Sequence, residues 1–164
     1  MRTRLRRLPL LAWIALLGCA SAPEPEYGSK YDPLERFPAS GLWAWDERAN
    51  VLPEGPRFEG LDLEPALRAA IADALADRGY REGSDAAHYR VSYQLGIGTR
   101  IRPEESVAVG SLSLLFTEVR TRRPVWVGFA RAELDVNRSQ AERNERLRAI
   151  VAEMLAAFPP GHED

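Results

Sequence analysis

Two histidines, a single cysteine and several close-set acids are the residues of this sequence with the plainest capacity for chemistry. His88 follows Ser84 and Asp85, which are the residue types of a nucleophile, an orienting acid and a general base. Such groups normally meet across a fold rather than along a few residues of chain, so this run reads as a turn carrying a surface histidine. His162 stands in the terminal Gly-His-Glu-Asp run, where chain ends are poorly ordered. Glu104, Glu105, Glu118, Glu133 and Asp135 offer carboxylates for the acid and base of a periplasmic hydrolase acting on wall or lipid, although paired acids in turns and on solvent faces are ordinary. The Gly96-Ile97-Gly98 run opens no helix and lacks the rest of a phosphate loop, which makes it a strand end or a bulge. With one thiol in the chain, neither a disulfide nor a cysteine metal cluster can form within it. These residues imply no catalytic set, no metal and no cofactor.

Cys19 itself has a more specific setting. Arg2, Arg4, Arg6 and Arg7 precede an apolar run from Leu8 to Gly18, too short to span a bilayer and organised as a secretory signal. The sequence Leu16-Leu17-Gly18-Cys19-Ala20 resembles the bacterial lipobox, and that resemblance implies cleavage before Cys19 and acylation of its thiol. An exported chain with an unpaired thiol is an anomaly that lipidation removes. Ala20, rather than an acidic residue, follows the cysteine, so the expected address is the outer membrane, facing the periplasm. Several acyl chains at one N-terminus, palmitate among them, would make the attachment effectively permanent.

Removing residues 1–18 leaves 18 basic against 24 acidic residues, a net charge of −6. That balance lacks the basic field which sequence-independent nucleic-acid binding needs, and no nucleic-acid partner is expected. Residues 19–36 are rich in proline, charge and small side chains without apolar period, which reads as a flexible tether reaching roughly 50 Å when extended.

Residues 37–160 hold the periodic segments of one α+β domain, followed by a short tail at 161–164. Phe37 to Trp45, which holds Leu42, Trp43, Ala44 and Trp45 after Gly41, suggests a first strand. Leu63, Leu67, Ile71, Ala74 and Leu75 recur at helical spacing, with Asp62 as a cap, Pro65 in the first turn and Gly79 as the stop. Arg90 to Ile97 alternates with Val91, Tyr93, Leu95 and Ile97 on one side. Ala108, Gly110, Leu112, Leu114 and Phe116 line the next strand, and Val125 to Leu134 makes a third whose two faces are both apolar at first. Ser139 and Glu142 stand at capping-box spacing before Leu147, Ile150, Val151, Met154 and Phe158, with Glu142 and Arg146 in favourable i,i+4 order. The expected fold is a two-layer sandwich in the order β-α-β-β-β-α, with about four largely antiparallel strands and two helices on one face. Trp43, Trp45 and Trp126 are first of all core candidates in a domain without disulfides. A sheet covered on one side only could also turn some of them outward as a partner surface.

The stretch from Tyr31-Asp32-Pro33 to Trp45, the helix end Leu75-Ala76-Asp77-Arg78-Gly79-Tyr80, the strand Val91-Ser92-Tyr93, the run Pro124-Val125-Trp126-Val127-Gly128 and the closing Phe158-Pro159-Pro160 together resemble lipoproteins of domain of unknown function 4136. Gly41-Leu42 and Glu118 depart from that pattern. The resemblance implies an envelope lipoprotein and no particular activity. The element order also looks like that of lipopolysaccharide-assembly lipoproteins and auxiliary subunits of lipid transporters, an analogy of fold alone. The sequence thus leads to a non-enzymatic accessory or scaffold protein, held to the membrane by its N-terminal lipid and binding an unidentified envelope protein or lipid.

Overall fold

The computed structural model describes residues 23–52, 63–103, 106–135 and 137–160. Cys19, the Asp62 cap, Glu104, Glu105 and His162 lie outside the described residues. In chain order the elements are β1 (Glu26–Tyr31), β2 (Gly41–Trp45), α1 (Leu63–Ala76), β3 (Tyr80–Glu82), β4 (Tyr89–Ile101), β5 (Ser106–Glu118), β6 (Pro124–Glu133) and α2 (Gln140–Leu155).

The strands form one six-stranded sheet in the order β1-β6-β5-β4-β2-β3. This corrects the expectation of about four largely antiparallel strands in two ways. β1 and β3 are additional, and β2 runs parallel to both β3 and β4. The parallel β2–β3 pair needs a crossover, which α1 supplies. β1 arises inside the segment read as a tether; it pairs antiparallel with β6 from Glu26 opposite Arg131 to Tyr31 opposite Trp126. Its side chains are mostly exposed, so backbone pairing to β6 holds it rather than an apolar face.

β4 and β5 form the spine of the sheet, paired without interruption from Tyr89 opposite Glu118 to Ile101 opposite Ser106. The alternation of Val91 and Tyr93 is buried as expected, and the strand continues past Ile97 to Ile101. In β6 the register decides which side faces the helices. Trp126 stands opposite Phe116 and Ala130 opposite Leu112, sharing the core face, whereas Phe129, 42% exposed, looks out from the other side.

Both helices cover that core face. Leu67, Ile71, Ala74 and Leu75 of α1 join Val151, Met154 and Leu155 of α2 in one cluster with Trp43, Tyr89, Val91, Tyr93, Leu114, Phe116 and Trp126. Gly79 ends the α1 segment with φ +80°, the left-handed conformation that glycine takes without penalty. The Ser139 capping box forms in full: its side chain accepts from the Glu142 backbone N–H, while Glu142 accepts from the Ser139 N–H at 2.8 Å. That engagement uses the Glu142 carboxylate, and no Glu142–Arg146 ion pair stands among the described residues.

Phe158, just past α2, is the hub of the aromatic core. Its ring meets those of Phe37, Tyr80, Tyr89, Phe116 and Trp126 with centroids between 4.3 and 6.4 Å. Gly128 makes room for the Trp126 indole along β6, since a Cβ there would stand 2.2 Å from the ring.

Burial pushes the Tyr80 phenol from 10.0 up to about 12 and raises Tyr89 and Tyr93 as well. Well below pH 10.0 these phenols are neutral in both folded and unfolded chains. From there to about pH 12 the unfolded chain ionises first, so stability falls as pH rises. Urea midpoints measured across that interval should decline, and Tyr80→Phe should flatten the decline. A midpoint independent of pH throughout would contradict this reading.

Candidate functional site

α2 packs tightly only along its second half. Val151, Met154 and Leu155 are buried, whereas Leu147 and Ile150, two turns and one turn before Met154, are half-buried. Beneath that first half the sheet presents small side chains: Ala108 and Gly110 of β5, Ala130 and Ala132 of β6. A helix over a sheet floor of alanine and glycine leaves space that larger residues would fill.

The result is a cleft of about 380 Å³. Leu63, Leu95, Ile97, Leu112, Leu147 and Ile150 wall it. Its volume falls in the usual range for small-molecule sites, ~300–1,000 Å³, and its lining is predominantly apolar with a few polar groups. The polar lining is Ser111, Glu133, Asp135, Arg138, Arg143, Asn144 and Arg146. The Glu133 carboxylate is held by Arg102 and lies 3.9 Å from Arg100. Asp135 faces Arg138 at 3.5 Å. Arg143 donates to neutral oxygens, the Arg138 carbonyl and Gln140 Oε1. Arg146 has no carboxylate within ion-pair distance among the described residues. It lies near Tyr27 of β1, whose phenol is raised by burial and by Glu153 while Arg146 opposes the rise.

The tryptophans divide. Trp43 and Trp126 are 0% and 1% exposed and belong to the core, so they form no partner surface. The register explains it, because both side chains fall on the helix-covered face. Trp45 is half-buried, edge-on to Trp43 and covered by the Arg68 guanidinium at 4.7 Å, which in turn pairs with Glu47 and Glu64. Among the apolar residues the sheet does turn outward are Phe129 and its neighbours Val127 and Leu115.

Among the candidate acids Glu118 and Glu133 do not converge, whereas Glu133 and Asp135 both line the cleft. Glu133 stands opposite Val109 while Glu118 ends the same strand nine residues later. At ~3.4 Å per residue they are ~30 Å apart, against the ~5–9.5 Å that separates the two carboxyls of a glycosidase. Glu118 instead accepts from Thr121, and Ser84 donates to its neighbour Asp85 at 3.0 Å. His88 Nδ1 accepts the Leu42 backbone N–H at 3.3 Å, tying a loop to β2 rather than serving a serine. It lines a more polar depression of 690 Å³ with Glu35, Arg36, Tyr89, Glu118 and Arg120. There the Tyr89 hydroxyl donates to Glu35 Oε1 at 3.2 Å. Among the described residues no group of three His, Cys, Asp or Glu side chains is placed to hold a metal ion, and no helix is long and apolar enough to cross a membrane.

The cleft went unread in the sequence. The sequence places Ala108 and Gly110 on one strand face with Leu112, Leu114 and Phe116, and the signal of a cleft there is the small size of the first two.

The PelC dodecamer from Paraburkholderia phytofirmans is similar in structure, with a TM-score of 0.53 and 12% identity over 81% of this chain and 96% of that one. A PDZ domain protein from Parabacteroides distasonis gives 0.55 at 10% identity, covering 84% of this chain and 36% of the other. A lipoprotein from Neisseria meningitidis gives 0.43 at 15% identity over 71% of this chain and 98% of that one. For the first two, at these identities, the likeness concerns the fold. No curated protein matches the sequence. The family described as Domain of unknown function (DUF4136) matches residues 28–160, which is most of the chain and includes every strand and helix from β2 onward. The chain belongs to that family.

Proposed function

We propose that this protein is a lipid-anchored, periplasm-facing component of the bacterial envelope, held at the outer membrane, whose folded domain binds an apolar or amphipathic envelope molecule without transforming it. The observation that carries the reading is the cleft between α2 and the small-residue floor of β5 and β6. The setting of Cys19 supports the anchor, and the separation of Glu118 from Glu133 along β5 speaks against those two acids working as one catalytic pair.

The test uses the full acylated chain in phosphatidylcholine vesicles doped with a fatty acid carrying a photoactivatable diazirine in its chain. Crosslinks should fall on peptides containing Ala108 to Leu112, Ala130 to Leu134 and Leu147 to Ile150. Ala132→Trp places an indole on the half-buried floor and should cut that labelling about tenfold, the expected loss for a site whose volume is largely taken. Circular dichroism serves as the check that the variant folds. Labelling confined to the Phe129 face, or labelling of the cleft that Ala132→Trp leaves intact, would overturn the reading.

A further inference from the structure

We propose that the cleft takes one acyl chain of an anionic membrane lipid, with the Arg143 and Arg146 guanidiniums meeting its headgroup phosphate. The inference rests on the binding role proposed above and names the occupant.

Three features carry it. The first is charge. Of the ionic groups lining the cleft, Glu133 is held by Arg102, and Asp135 and Arg138 face each other. Arg143 meets only neutral oxygens, and Arg146 meets no carboxylate among the described residues. Two guanidiniums beside an apolar slot are thus left without an anion. Their forked donors suit a phosphate better than a point cation would. Residues 19–164 together carry −6 and would repel an anionic surface, so the attraction is local to this site.

The second is where the chain enters the domain. β1 begins at Glu26, whose partner across the sheet is Arg131, between the floor residues Ala130 and Ala132. Cys19 precedes Glu26 by seven residues. At ~3.3–3.6 Å per residue that segment spans at most ~25 Å, half the reach of a tether extending to residue 36. An acylated Cys19 therefore holds the cleft end of the sheet close to the bilayer, rather than the opposite end where Glu118 lies. The third is shape. A slot walled by Leu95, Ile97, Leu112, Leu147 and Ile150 over alanine and glycine offers apolar contact along its length and hydrogen-bonding groups at few points, as a hydrocarbon chain requires.

The experiment places the acylated protein in phosphatidylcholine vesicles containing, in separate preparations, diazirine-acyl phosphatidylglycerol, diazirine-acyl phosphatidylcholine or a diazirine fatty acid, and counts crosslinks on the cleft peptides. Phosphatidylglycerol should label about tenfold more than phosphatidylcholine, corresponding to ~1.4 kcal/mol of discrimination. Arg146→Gln, and more strongly Arg146→Glu, should bring the two lipids close to parity while labelling itself persists. Arg143→Gln should act in the same direction, but Arg143 also ties down the loop before α2, so the Arg146 variants decide the matter. Equal labelling by the two lipids, or a preference that Arg146→Glu leaves untouched, overturns this inference while leaving the binding role intact. Preference for the free fatty acid over phosphatidylglycerol overturns the headgroup assignment. Absence of cleft labelling by every probe overturns the binding role as well.

Discussion

Phe158→Ala should cost the domain about 3–5 kcal/mol, the range for deleting a fully buried aromatic ring, and leave it partly unfolded at physiological temperature. The side chain is 2% exposed and touches five other aromatic rings drawn from the β1–β2 connection, β3, β4, β5 and β6. Its removal opens a cavity at a point where all these segments meet around one ring. Nothing covalent compensates, because the chain holds no second cysteine. Phe129→Ala is the matched control: the same ring, 42% exposed on the open face, should cost little beyond its contact with Gly28. Denaturant midpoints for the two variants should therefore differ widely. Similar losses would mean that the buried hub is not where the stability lies.

The second large effect concerns location rather than stability. Cys19→Ala should move the protein from the membrane pellet to the soluble fraction, or leave it unprocessed, because a noncovalent contact between one small domain and a bilayer cannot replace several acyl chains, each methylene of which contributes ~0.8 kcal/mol. Fractionation under high salt checks this, since it strips electrostatic association and leaves acyl anchoring in place. Full retention of Cys19→Ala in the pellet after a salt wash would contradict the anchor.

The two effects fall on regions that the sequence disclosed unequally. α1 was legible because Leu67, Ile71, Ala74 and Leu75 recur at helical spacing and Gly79 marks the stop, and all five behave accordingly. The α2 capping box and the β4–β5–β6 meander were legible for similar local reasons. β1 was not. Glu26 to Tyr31 carries no buried face, and what makes it a strand is the exposed edge of β6, a partner about a hundred residues away in sequence. β3, three residues long, is too short to show a period, and the direction of β2 depends on which neighbours it finds.

The site divides in the same way. Trp43 and Trp126 are as compatible with a surface as with a core until register assigns their side; Trp45, on the same face, reaches the core margin and takes Arg68 as its cover. The carboxylates were visible one by one, but only the long pairing of β5 shows that Glu118 and Glu133 lie at opposite ends. The cleft is a property of what is missing, namely bulk at Ala108, Ala130 and Ala132 under Leu147 and Ile150, and such absence becomes meaningful once helix and floor are known to face each other.

An acyl anchor at Cys19, as proposed above, would fix which end of the sheet meets the bilayer, and the proposed occupant of the cleft rests on it. Intact mass spectrometry of the protein extracted from membranes tests it most directly. The account predicts a polypeptide that begins at Cys19 and carries the added mass of a diacylglyceryl group. A chain that begins elsewhere, or one that retains Cys19 as a free thiol, would contradict it.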